Sequence, residues 1–228
     1  MAKKIPYGLT DYVLVMTDNY YYVDKTQYID LLEQTGRFLF LIRPRRLGKS
    51  LFLNMLNCYY DVKYADRFEE LFGNQYIGKH PTAEQGKYLV LRFNFSMVRA
   101  TDDKLEAAFN RHISLETAYF ASVYASYFKP DFQEQLKLIP EAAGRLEYIC
   151  LCAKEQGLSI YLLIDEYDNF TNTILSSKGN DVYHSLTHDS GFYSSFFNVV
   201  KGVTTGAEAP VKRMFITGVS PVTLDDVT

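Results

Sequence analysis

Apolar and polar positions along the chain fall into two repeating patterns. Short runs that are apolar throughout suit strands covered on both faces, and stripes recurring every three or four residues suit helices packed on one side. Phe38-Leu39-Phe40-Leu41-Ile42 is a run of the first kind. Residues 88–95 and 158–164 read the same way, and Arg213-Met214-Phe215-Ile216-Thr217 makes a last strand closed by Gly218. Helical stripes lie between them. Leu51, Phe52, Met55, Leu56 and Tyr59 follow the first strand. Leu105, Phe109, Ile113, Phe120, Val123 and Tyr127 keep helical spacing across residues 102–127, until Pro130 interrupts. Residues 140–157 and 192–203 are further helices. Residues 172–190 are polar, with few periodic apolar positions, and read as a loop or mobile segment. Near the start, residues 26–34 form a helix stopped by Gly36. Asp24 with Gln27 three places on resembles a capping box, and Thr26 is the alternative cap.

Strands alternating with helices predict an α/β architecture with a largely parallel sheet. The expected organisation is an N-terminal segment and helix, residues 1–36, packing on a core formed by residues 37–228. Internal repeats, low-complexity tracts and a clear interdomain linker are absent from the sequence.

The strand ends carry the chemistry. Arg43-Pro44-Arg45-Arg46-Leu47-Gly48-Lys49-Ser50 joins the first strand to the helix after it. Its last three residues fit the end of the G-x-x-x-x-G-K-[ST] phosphate-loop pattern, in the required strand-to-helix setting. Gly48 lets backbone approach phosphate oxygens, and amides at the helix start form an anion cradle. The cradle runs over Arg45, Arg46, Leu47, Gly48, Lys49, Ser50 and Leu51. Lys49 would bridge the β- and γ-phosphates of ATP, and Ser50 would give its hydroxyl to Mg²⁺. Arg43 stands where the pattern has its first glycine, so the turn is made differently, with the fixed φ of Pro44 as one means.

Tyr161-Leu162-Leu163-Ile164-Asp165-Glu166 is an apolar strand ending in two carboxylates, a Walker B pattern. Asp165 would hold Mg²⁺ and Glu166 would act as general base on the attacking water. Asp168 is either a supporting carboxylate or a solvated acid. At the end of the last strand, Thr217 is the better candidate for a polar sensor of the γ-phosphate and Ser220 the lesser; a strand leaving into a turn explains them equally well.

Tyr21-Tyr22-Val23-Asp24-Lys25-Thr26, the Arg43–Phe52 stretch, Leu163-Ile164-Asp165-Glu166-Tyr167-Asp168-Asn169 and Phe215-Ile216-Thr217-Gly218-Val219-Ser220-Pro221 together resemble the bacterial AAA-ATPase-like family, across essentially the whole chain and in the same order. The missing first glycine is that family's habit. The resemblance implies a P-loop NTPase of the additional-strand (ASCE, AAA-like) type: a mostly parallel sheet flanked by helices, with the catalytic glutamate on the strand next to the phosphate-loop strand. A fifth core strand follows the sensor strand in that fold. The sequence stops at Thr228, so the expectation is an N-terminal fragment lacking its last core strand. Family members often carry a restriction-endonuclease-like nuclease domain further along. By analogy the Tyr22–Thr26 stretch lies near the adenine, against the plainer reading of a capped helix start.

The function implied is ATP binding with Mg²⁺ and ATP hydrolysis, coupled to conformational change in a larger protein. The alternative is a nucleotide-gated switch with little or no hydrolysis, regulating an attached nuclease. Homo-oligomers are a further expected partner class. A basic nucleic-acid patch of Arg43, Arg45, Arg46 and Lys49 is the third reading. A formal net charge of −3 provides no global field to favour it.

Composition excludes other classes. A hydrophobic fraction of 47% and a charged fraction of 22% are ordinary for a globular domain, and the 19 Tyr and 16 Phe point to an aromatic core. Three cysteines (Cys58, Cys150, Cys152) make no disulfide framework and fit a reducing, cytoplasmic setting. Met1-Ala2-Lys3-Lys4 lacks a following apolar stretch of signal-peptide type, and a membrane partner is not expected. His184 and His188 stand four apart but lack the protease pattern and a third ligand, so they are read as structural. Arg213 or Lys212 is a candidate arginine finger toward a neighbouring subunit.

Overall fold

The computed structural model describes residues 3–98, 104–187 and 191–220. In chain order these form helices α1 (Tyr12–Thr17) and α2 (Tyr28–Thr35), strand β1 (Phe38–Ile42) and helices α3 (Lys49–Tyr60), α4 (Phe68–Phe72) and α5 (Tyr76–Lys79). Strand β2 (Leu89–Asn94) follows, then helices α6 (Leu105–Val123), α7 (Phe132–Lys137) and α8 (Ala142–Glu155). Strand β3 (Ile160–Asp165), helices α9 (Asn169–Lys178), α10 (Asn180–Thr187) and α11 (Phe192–Thr204), and strand β4 (Val211–Gly218) complete the order.

The four strands form one parallel sheet in the order β1-β4-β3-β2. Alternation along each strand sorts its side chains onto two faces. Leu39, Leu41, Val90, Tyr161, Leu163 and Phe215 join α1 to α5 in one apolar cluster. Leu91, Phe93, Ile160, Leu162, Ile164, Met214 and Ile216 join α6 to α11 in the other. Burial on both faces explains the unbroken apolar runs of the sequence. The N-terminal segment belongs to the first cluster through Tyr12 and Ile29, both buried.

β1 is the exception. Among the described residues it is an edge strand, paired only with β4, and its second face carries Phe38 and Phe40 at 39% and 42% exposure.

Several expectations are corrected. The segment read as a loop at 172–190 is helical through α9 and α10 as far as Thr187; residues 188–190 lie outside the described residues. Its apolar anchors are few, but Ile174, Tyr183 and Leu186 are all buried. Its hydroxyls return to the helix's own carbonyls, as in Thr173 to Asn169 O (2.7 Å) and Thr187 to Tyr183 O (3.0 Å). Polar content therefore did not mean loop. The long third helix stops at Val123, and Tyr127 sits in a 3₁₀ turn, 43% exposed; its expected start at 102 lies outside the described residues. The capping box is absent: Gln27 is the N-cap of α2 and makes no side-chain cap. Asp24 instead accepts from the Thr26 amide and hydroxyl and from the Tyr76 amide (2.7 Å), so it ties the chain to α5. Finally, β3 does not neighbour β1: β4 lies between them, hydrogen-bonded to both.

Candidate functional site

Parallel strands bring their C-terminal ends to one edge of the sheet, where open α/β sheets bind ligands. Ile42 of β1 is in register with Gly218 of β4, and Ile164 of β3 with Ile216. The loop after β1 and the acidic end of β3 therefore share that edge, two strand spacings or about 10 Å apart in the sheet. The pleat sets direction too. Leu163 and Phe215 face α3, so Asp165 and Thr217, two residues further on, face α3 as well.

The loop that starts at Arg43 is anchored by the Arg43 amide, which donates to Gly218 O at 3.1 Å. Arg46 and Gly48 are both left-handed, at φ 67° and 75°. A glycine meets that requirement freely and an arginine at a cost. Gly48 is the N-cap of α3 and no side chain caps the helix; the first bond of its ladder runs from Phe52 N to Gly48 O, 3.0 Å. The amides of Lys49, Ser50 and Leu51 precede that bond and so stand open to an anion, with the helix dipole behind them. The Lys49 side chain is 6% exposed, and its ammonium donates to the carbonyls of Arg43 (3.0 Å) and Pro44 (3.1 Å). It is thus folded onto its own loop, in position to exchange neutral acceptors for charged ones. Arg45, Arg46 and Leu47 are exposed on the loop's outer side.

Across the edge, Asp165 is 1% exposed, and the Thr217 hydroxyl donates to its Oδ1 at 2.5 Å. The Glu166 amide donates back to the Thr217 oxygen at 3.3 Å. Thr217 therefore orients the Asp165 carboxylate. Its one proton is in use, and contact with a phosphate requires that bond to open. Glu166 is half-buried, left-handed at φ 51°, with Oε2 held by the Asn169 amide group at 3.2 Å. Among the described residues the non-glycine positions with positive φ are Asn19, Arg46 and Glu166. Two of these three belong to this edge, where strain of this kind tends to mark function.

Asp168 is not a solvated acid. It is buried and clamps the turn after β4, accepting from the Val219 amide (3.0 Å), the Ser220 amide (2.7 Å) and Asn172. The Tyr167 ring fills the space beside Gly218 that a Cβ would occupy, and its hydroxyl donates to Ser220 O. Sequence reasoning missed this clamp; the signal was the Tyr167-Asp168 pair directly after the acidic strand end.

Other expectations separate from the edge. Arg213 lies near the start of β4, at the opposite end of the sheet, and pairs with Glu84 at 3.1 Å. Its guanidinium is engaged inside the chain, which removes it as an arginine finger; half-buried Lys212 donates to Ala207 O, 3.2 Å. His184 is exposed on α10, and His188 lies outside the described residues. Among the described residues, His, Cys, Asp and Glu form no group of three able to hold a metal, and all three cysteines are free thiols. No helix among them is long and apolar enough to cross a membrane. Cavities of about 410 and 480 Å³ open elsewhere, the first between α3, β2 and α6, and neither includes a residue of the loop. A phosphate cradle is a set of amides on an open edge and needs no enclosed volume.

A parallel sheet flanked by helices, with a glycine-led helix start facing an acidic strand end, is the arrangement of a P-loop-like fold. The chain belongs to the AAA-ATPase-like family: the family model, described as "Predicted AAA-ATPase", matches residues 6–228. It is also similar to an uncharacterized protein in the vnfD 5′ region of Azotobacter chroococcum mcd 1, with 49% identity over 55 residues. That stretch is 24% of this chain and 11% of the relative's length. No solved structure matches the chain.

Proposed function

We propose that this chain binds ATP with Mg²⁺ and hydrolyses it, as a P-loop domain of the additional-strand type. The observation that carries the proposal is the shared edge: open amides at Lys49–Leu51, and Asp165 aimed to the α3 face by Thr217, with β4 inserted between their strands. The residues fit both groups. The cradle of Arg45 to Leu51 has uncapped amides and a left-handed glycine for the phosphates, and the hydroxyl of Ser50 and carboxylate of Asp165 are hard oxygen donors suited to Mg²⁺. When bound, Mg²⁺ neutralises phosphate charge. Lys49 leaves its carbonyls for the β- and γ-phosphates, and Glu166 accepts the proton of the attacking water. Thr217 keeps Asp165 oriented while these bind.

A fifth strand beside β1 is part of the proposal. The unpaired edge and the exposed Phe38 and Phe40 support it. Coupling to conformational change in a larger, cytoplasmic protein, with an attached nuclease domain or as a homo-oligomer, follows the family resemblance. The test is phosphate release by purified protein with ATP and Mg²⁺. Glu166→Gln is expected to lower turnover at least a hundredfold while ATP still binds. Turnover that survives the substitution would remove Glu166 as the base.

A further inference from the structure

Among the described residues, Lys25 is a cation without an anion. Its ammonium makes no ion pair, yet it is not adrift: a Cβ added at Gly48 would stand 3.9 Å from Lys25 Nζ. That places it across the mouth of the phosphate loop, although Lys25 precedes the loop by a helix and a strand.

Its two neighbours hold it there. Both oxygens of the Asp24 carboxylate are used, Oδ1 by the Thr26 amide (2.8 Å) and hydroxyl (2.7 Å), Oδ2 by the Tyr76 amide (2.7 Å). Thr26 is fully buried and its oxygen accepts from the Ile77 amide at 3.1 Å. The backbone on either side of Lys25 is thereby pinned to α5, and the nearby aspartate spends its acceptors on backbone amides instead of on the lysine. The result is a fixed stem with an exposed, unneutralised ammonium beside the left-handed glycine that opens α3.

We propose that Lys25 is a second phosphate-binding cation of this site, closing on the nucleotide's polyphosphate from the side opposite the strand ends. The proposal rests on the ATP reading above and assigns the Tyr22–Thr26 stretch to the phosphates, not to the adenine. A lysine suits this work because its ammonium acts as a point charge and needs no bidentate geometry.

The experiment is calorimetric titration of the purified chain with Mg-ADP and with inorganic pyrophosphate plus Mg²⁺, for the wild type, Lys25→Ala, Lys25→Arg and Lys49→Ala. Thermal melts check that each variant is folded, and Lys25→Met, which keeps the apolar stem, replaces the alanine variant if that one melts early. Lys25→Ala is expected to weaken ADP and pyrophosphate alike by about tenfold, and Lys25→Arg to restore affinity to within about threefold. If Lys49→Ala loses ADP while Lys25→Ala binds it as the wild type does, the Lys25 proposal fails and the ATP reading stands. If ADP weakens and pyrophosphate does not, Lys25 serves the base or ribose and the proposal fails too. A wild type that binds neither ligand overturns both.

Discussion

The two ends of the parallel sheet are built on opposite principles. At the end where strands begin, polar groups saturate one another. Glu33 accepts from Tyr60 (3.0 Å) and Thr82 (2.8 Å), Tyr59 shares a hydrogen with Thr82 (3.0 Å), Tyr88 donates to Glu84, and Arg213 pairs with Glu84 and reaches Gly36 O. At the end where strands finish, the supply of donors exceeds the acceptors. Three amides of α3 are uncapped, Lys49 rests on neutral carbonyls, and the Lys25 ammonium makes no ion pair among the described residues. Strained backbone follows the same division, with Arg46 and Glu166 both at the second end. Unspent hydrogen-bonding and charge, more than charge itself, distinguishes a binding edge from a structural one.

Substitutions can break this contrast. Lys49→Ala carries the largest expected effect: nucleotide affinity should fall about a hundredfold, near 2.7 kcal/mol. Unfolding free energy without ligand should change by no more than about 2 kcal/mol, because the loss of two bonds to neutral carbonyls is offset by removing a buried ammonium's desolvation cost. Titration beside urea unfolding reads both. Undiminished affinity would put the two ends on equal terms. Arg213→Ala should do the reverse. It strips Glu84 of its partly buried partner and should destabilise the chain by about 1–3 kcal/mol. Nucleotide affinity of the folded variant should stay within about twofold. A variant that is stable yet binds poorly would mean the far end contributes to the site.

Much of this was legible in the residues, for identifiable reasons. Strands buried on both faces write continuous apolar runs, so β2, β3 and β4 were placed to within a few residues of their bounds; β1 was placed by its apolar run as well, although Phe38 and Phe40 leave one of its faces exposed. The loop and the acidic strand end were legible because their chemistry demands particular residue types at a strand's end. Three kinds of feature were not. Short helices α1, α4, α5 and α7 contain too few turns to establish a period. Helices α9 and α10 hold few apolar anchors and many hydroxyls that bond inward. Asp24, Asp168 and Arg213 have partners distant in sequence, at Tyr76, Ser220 and Glu84, and no local pattern announces a tertiary clip. Strand order is also a tertiary fact: local patterning says that β3 is a strand, not that β4 separates it from β1.

The saturated end has its own cost, and Asp61 reports it. This residue follows α3, bridges to Tyr88 at the start of β2, and is 3% exposed. Burial pushes its carboxyl from the ordinary 3.8 up to about 6, against the pull of the Lys63 amide, the Tyr124 hydroxyl and the Lys63 charge. The folded chain therefore holds the Asp61 proton more tightly than the unfolded chain does. Its contribution to stability is fully present below about pH 4 and is lost as pH rises through about 6. A shift of this size corresponds to at most about 3 kcal/mol, and water reaching the site brings the expectation to about 1–2. Glu33 is raised by burial and adds a slope of the same sign, whereas Glu84, which burial raises but Tyr88 and Arg213 pull down further, opposes it. Asp61→Asn isolates the one group: it keeps an acceptor for the Lys63 amide and cannot ionise. The difference in unfolding free energy between wild type and Asp61→Asn should move by about 1–2 kcal/mol between pH 4 and pH 7, the wild type losing ground as pH rises. A difference flat across that range would show that Asp61 stays ionised and solvated in the folded chain, and that this end of the sheet is less sealed than its hydrogen bonds indicate.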